Sequence, residues 1–208
     1  MTPFTRSELL AARQCARRAY KHRQPRAAAN NATIELPVKG VGGPRPEDIA
    51  EVRSLARQRY PGGVAIGAQG TWEERVARTR AAMTRPDVPA VFDATFIADD
   101  VAVRASLLVR DGRGWIVAEA KVANTVGEAQ ELDVAAVGWV AAGAGVAVSG
   151  LRLLHLDREY VRGDGPVDPR ALFVETEVEP VDFSADRATA RAAATAAAEP
   201  AVAPGAQC

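Results

Sequence analysis

The sequence predicts an α/β fold in which a mixed central sheet, built around a three-stranded antiparallel meander, is flanked by helices. Three observations carry this. Val91 to Lys121 alternates apolar runs with turn chemistry at Ala98-Asp99-Asp100 and Asp111-Gly112-Arg113-Gly114, which is the pattern of three strands joined tightly. Amphipathic segments with helix-start chemistry precede the meander and another follows it. A further apolar run, Gly150 to Leu156, then returns as a strand.

In order, Thr5-x-x-Glu8 is a capping box that opens a helix to about Tyr20, with Leu9, Ala12, Cys15 or Ala16, and Tyr20 at helical spacing, so Cys15 faces inward. His22 to Pro46 reads as a connecting loop with a short strand at Ile34-Glu35-Leu36. Pro46 starts a second helix with the stripe Ile49, Val52, Leu55 and Ala56, and Pro61-Gly62-Gly63 stops it. Val64-Ala65-Ile66 is a short strand, and Thr71-x-x-Glu74 caps a third helix that turns Trp72, Val76 and Met83 inward. After Lys121, a turn at Asn124 to Gly127 leads to a helix that ends at Gly143-Ala144-Gly145. From Ser184 the composition is that of an alanine-rich helix, and from Glu199 to Cys208 no periodicity remains.

At 208 residues the chain suits one domain over 1–208: a basic, cysteine-bearing N-terminal helix and loop (1–45), a core (46–176), and an alanine-rich helix with a tail (177–208). Lys+Arg and Asp+Glu both number 26, so no global basic field advertises a polyanion, and any such contact must come from a local patch. Arg13, Arg17, Arg18, Lys21, His22, Arg23 and Arg26 form one such run, which can meet phosphates or be a solvated helix face. No apolar run approaches a membrane span and the start lacks a signal-peptide core, so the expectation is a cytoplasmic protein with no membrane partner. The two cysteines, Cys15 and Cys208, do not suggest the disulfide framework of a secreted miniprotein.

The third meander strand carries the chemistry. With a side-chain period of two, Trp115, Val117, Glu119 and Lys121 share one face, so a carboxylate and an ammonium stand side by side at the strand's end. That is the Glu-x-Lys half of a nuclease site, although alone it also fits a surface cross-strand pair. No Gly-rich phosphate loop is present, since Gly40 to Gly43 lacks the P-loop lysine and hydroxyl, and neither Ser106 nor Cys15 has an evident activating base. His155, inside an apolar strand with no second histidine at metal spacing, reads as a cross-sheet or core histidine.

In order and spacing, FTRSELLAARQCARRAYKHRQP, IAEVRSLARQRYPGGVAI, the meander through VANTV, and LRLLHLDREYVRGDG resemble the RecB-type exonucleases of the PD-(D/E)XK superfamily that are related to the CRISPR-associated ones. More closely they resemble a bacterial group, known mainly as a domain of unknown function, with that nuclease core. The resemblance covers nearly the whole chain and implies a restriction-endonuclease-like fold and metal-dependent hydrolysis of DNA phosphodiesters, with single strands or ends as substrate. In such a site an acid and the Glu-x-Lys glutamate hold Mg²⁺ or Mn²⁺, while the lysine positions the attacking water. Glu119 and Lys121 fall on that motif, and Ser106 falls where the family has its aspartate. Loss of that charge implies a weakened metal site and hydrolysis that is weak or lost, the alternatives being a non-catalytic module that binds nucleic acid or a protein partner, or an inactive fragment of a longer protein. Asp93, on the preceding strand, is the candidate to compensate as a metal ligand, or else a strand-edge carboxylate facing solvent. Arg104, read as lying on the Ser106 face, can contact a phosphate or line the sheet.

Two further family elements depart. The helix that contains Asp133 to Trp139 falls where the family shows a glutamine and a tyrosine, at positions that read here as Val137 and Trp139. The resemblance also implies an iron-sulfur cluster held by one N-terminal and three C-terminal cysteines. A [4Fe-4S] cluster takes about four thiolates, so Cys15 and Cys208 form an incomplete set that needs further cysteines.

Overall fold

The computed structural model describes residues 3–23, 44–201 and 208. The elements run β1 (Phe4–Thr5), α1 (Arg6–Gln14), α2 (Ala16–Arg23), α3 (Pro46–Gln58), β2 (Val64–Ala65), α4 (Trp72–Met83), β3 (Ala90–Ala98), β4 (Val101–Asp111), β5 (Gly114–Lys121), α5 (Glu128–Gly143), β6 (Val148–Leu156), α6 (Pro169–Leu172), β7 (Phe173–Glu177) and α7 (Ser184–Thr195). The sheet is mixed, with strand order β2-β3-β4-β5-β6-β7 and β1 pairing with β4. The meander forms its middle, with β3-β4 and β4-β5 antiparallel. After the α5 crossover, β6 lies parallel to β5, and β7 closes that edge antiparallel to β6. The α/β class and the central meander are as the sequence predicts.

Strand alternation sorts the apolar residues onto two faces. Val91, Ala94, Phe96, Val103, Ala105, Val117 and Leu153 face the larger core, with Leu9, Val134, Val137, Val140 and Ala190 from the helices and Phe183 just before α7. Phe92, Leu107, Ala118, Ala120 and Leu154 face a smaller one with Val52 and Ala56 of α3. The sheet is thus a layer between α3 on one side and the α1, α5 and α7 group on the other.

Several expectations are corrected. The helix predicted to run from Thr5 to Tyr20 is two helices, because Cys15 is extended (φ −174°, ψ 157°) and its Sγ accepts from the Arg18 backbone N–H at 3.3 Å, restarting the chain as α2. Cys15 is half-buried and bonded to Cys208. In α4 the buried residues are Thr79 and Ala82; Trp72 and Val76 are only half-covered, and Trp72 lies under the Arg75 guanidinium. Strands β1 and β7 and helix α6 carried no sequence signal strong enough to predict, being two to five residues long. The strand expected at Ile34-Glu35-Leu36, and Arg26 of the basic run, lie outside the described residues. No helix among the described residues is long and apolar enough to cross a membrane.

Candidate functional site

The site forms where the sheet splits. The β4-β5 ladder ends at Leu107 and Ala118, while β1 pairs with β4 only at Val101 and Ala102. Between them a stretch of β4 has, among the described residues, no strand on that edge. The regular alternation also slips there: Ala105 faces the larger core and Leu107 the smaller, and on β3 Phe92 and Ala94 slip likewise around Asp93, whose φ of 55° is left-handed. Asp93 and Ser106 therefore sit between the registered pairs Phe92-Leu107 and Ala94-Ala105.

Glu119 fills the split. It is 1% exposed, and its Oε1 accepts the Ser106 backbone N–H at 3.0 Å while its Oε2 accepts the Ser106 hydroxyl at 2.8 Å. A side-chain carboxylate thus satisfies a strand amide where a β5 carbonyl would otherwise serve. Because β1 runs along β4, the residue that follows it is delivered into the same opening. That residue is Arg6, whose Nη1 lies 3.6 Å from Glu119 Oε1 and whose Nε lies 3.4 Å from Asp133 Oδ1 on α5. Lys121, on the Glu119 face as predicted, donates to Asp133 Oδ2 at 2.5 Å. The four charges cancel: Arg6 and Lys121 against Glu119 and Asp133. Burial disfavours the Arg6 cation, but the charges of Glu119 and then Asp133 outweigh that cost, so it holds its proton more tightly than an ordinary arginine.

The structure brings Ser106, Glu119 and Lys121 together and does not bring Asp93 to them. The Asp93 carboxylate is taken by Arg57 of α3 at 2.5 Å and approached by Arg104 at 3.8 Å. Arg104, between Val103 and Ala105, consequently belongs to the α3 face, and the hydroxyl of Ser106 turns the other way to Glu119. In the basic segment, Arg17 and Lys21 both pair with Glu199, and Arg13 pairs with Asp186 at 2.9 Å, so the C-terminal part of the chain neutralises much of that run. Arg18 is half-buried on α2, as is His22, which has partners of its own. His155, registered opposite Val174, reaches diagonally across the β6-β7 pair to Thr176, its Nε2 3.2 Å from the threonine hydroxyl.

Arg6 and Asp133 are the residues the sequence reading missed. Each left a faint trace. Arg6 is a cation in the first turn of a helix, where the dipole favours acids, and Asp133 is a charge one turn before the buried Val137.

The side chains as they stand do not fit the divalent ion that the nuclease resemblance implies. Such an ion takes hard anionic oxygens, whereas Ser106 is neutral, both Glu119 oxygens are engaged by Ser106, and a guanidinium stands against the remaining space. Among the described residues no three His, Cys, Asp or Glu side chains gather in a way that could hold a metal. Cys15 and Cys208, joined as a disulfide, do not fit an iron-sulfur cluster either.

Compared with known proteins, the sequence matches no family model and no curated protein. Among solved structures, one described as "Crystal structure of SSO0001" is 12% identical and covers 58% of this chain and 56% of its own, with a TM-score of 0.34. A likeness of that size carries no argument about function.

Proposed function

We propose that this chain is a PD-(D/E)XK, RecB-like nuclease-fold protein that has given up efficient phosphodiester hydrolysis and serves as a DNA-binding module, with single strands or ends as its ligand. The observation that supports this most directly is the Ser106-Glu119 pair: where the motif calls for an aspartate to hold Mg²⁺ or Mn²⁺, a hydroxyl instead donates to the motif glutamate. Glu119 would be the metal carboxylate and Lys121 the water-positioning ammonium of the ancestral reaction; Ser106, Arg6 and Asp133 hold both in a self-neutralised cluster. Slow, Mn²⁺-preferring cleavage is the most that such a site would retain, and a binding role does not need it. Contacts to phosphate would come from the α2 side, from Arg18 and His22 and, when Glu199 is displaced, from Arg17 and Lys21, each exchanging its present partners for phosphate; Arg104, on the opposite face beside Asp93, would be a separate contact. A cytoplasmic location goes with this reading; there the reducing environment would hold Cys15 and Cys208 as thiols.

Fluorescence anisotropy with a labelled single-stranded oligonucleotide and its duplex tests the proposal. Binding should survive EDTA and weaken as salt rises, as it does when cationic side chains displace counterions. Absence of any salt-dependent DNA binding would sink the DNA reading and leave a protein partner as the ligand.

A further inference from the structure

We propose that the Arg6 guanidinium is a built-in cation that replaces the divalent ion at the split between β4 and β5, so that the neutralising charge of this sheet is covalently part of the chain. The proposal rests on the nuclease-fold reading for the statement that an ion is replaced; the geometry of the replacement stands on its own.

Three observations converge. First, Arg6 stands between the carboxylates of Glu119 and Asp133, 3.6 and 3.4 Å from them, as a bridging cation does. Second, its Nη1 is enclosed and, among the described residues, meets no acceptor within full hydrogen-bond distance, so that end of the group faces Glu119 chiefly as a charge. Third, its delivery is built into the fold: Phe4 and Thr5 lie in parallel register with Val101 and Ala102, the Phe4 N–H donates to the Asp100 carbonyl at 2.6 Å, and the Thr5-Glu8 capping box fixes the first turn, so the Arg6 backbone is held beside the split while β1 is paired. A buried carboxylate left without a cation is costly. With Ser106 adding two donors but no charge, the requirement at Glu119 falls to one positive charge, and a guanidinium meets it without an ion from solution.

It follows that the natural chain should take up no metal at this place, and that removing Arg6 while restoring the second acid should open a seat for one. The probe is Mn²⁺ alone, read by loss of the free-ion paramagnetic resonance signal and by the thermal midpoint. The natural chain should show neither uptake nor a shift. Arg6→Met/Ser106→Asp should bind one Mn²⁺ per chain and gain roughly 5 °C or more when the metal is about a hundredfold above its dissociation constant; adding Glu119→Gln should abolish both. Glu119-dependent Mn²⁺ uptake by the natural chain, or a folded double variant that takes up none, would overturn the proposal.

A second arm holds if the rebuilt variant does not fold. Arg6→Met should lower the urea midpoint of the natural chain, Arg6→Lys should lower it less, and Glu119→Gln added to Arg6→Met should recover at least half of the loss. Losses that simply add would place Arg6 outside the role assigned to it. The two readings fail separately: Lys121-dependent DNA cleavage strikes the function, whereas Glu119-dependent Mn²⁺ uptake without cleavage strikes only the Arg6 assignment.

Discussion

Ser106 does two things at one position: its amide would otherwise be an unpaired strand donor, and its hydroxyl supplies the second donor to a carboxylate with no solvent. Hydrogen bonds to charged groups contribute about 1.5–3 kcal/mol, so Ser106→Ala should lower unfolding free energy by about that amount in urea titration. A change near zero would mean that Arg6 and the backbone N–H of residue 106 satisfy Glu119 without the hydroxyl. The shared face of Glu119 and Lys121 was legible, because period-two alternation holds along β5. The direction of Ser106 and the fate of Asp93 were not, since both depend on a slip in alternation that β3 and β4 make together. Arg6 was hidden for a different reason: its partners lie on β5 and α5, more than a hundred residues away, and no local pattern encodes that meeting.

The helices were legible where start or stop signals agree with a stripe, as for α3 and α5, or from composition, as for α7, and misread where a special contact overrides propensity. The break at Cys15 is such a case, since the side chain that looked like part of a buried stripe caps the next helix and reaches Cys208. That bond closes a separation of 193 residues, for which chain entropy contributes on the order of 2–5 kcal/mol; Cys15→Ser should lose this in oxidised protein, and reductant should remove the difference between variant and natural chain. Helix α5 meets β6 so closely that a Cβ on Gly138 would stand 2.3 Å from Leu151 Cδ2. Gly138→Val should therefore cost about 1–3 kcal/mol by overpacking, measured by denaturant unfolding; a neutral result would mean that Leu151 can move aside.

At the level of the molecule, three of the ion pairs tie the two ends of the chain together. Helices α1 and α2 pack on α7, and Arg13, Arg17 and Lys21 meet Asp186 and Glu199. The Arg17 guanidinium, then Lys21, holds the Glu199 carboxyl below the usual carboxylate range. A depressed folded value contributes stability that is present above the ordinary value and lost as pH falls through the lowered one. Glu199→Gln should thus be destabilising at pH 7, and the difference from the natural chain should vanish at strongly acidic pH; a difference that persists there would assign Glu199 a role other than charge. The basic run was visible in the sequence, but the partners of Arg13, Arg17 and Lys21 were not, because they come from the opposite terminus.

Cleavage of labelled single-stranded and duplex DNA with Mg²⁺ or Mn²⁺ tests the central claim, that a nuclease-like constellation is held shut by Ser106 and Arg6. The natural chain should leave both substrates intact with either ion, and Arg6→Met/Ser106→Asp should cut faster than the natural chain. Efficient Mg²⁺-dependent cleavage by the natural chain that Lys121→Ala abolishes would contradict it, and would make the cluster of Glu119, Lys121 and Asp133 a working site.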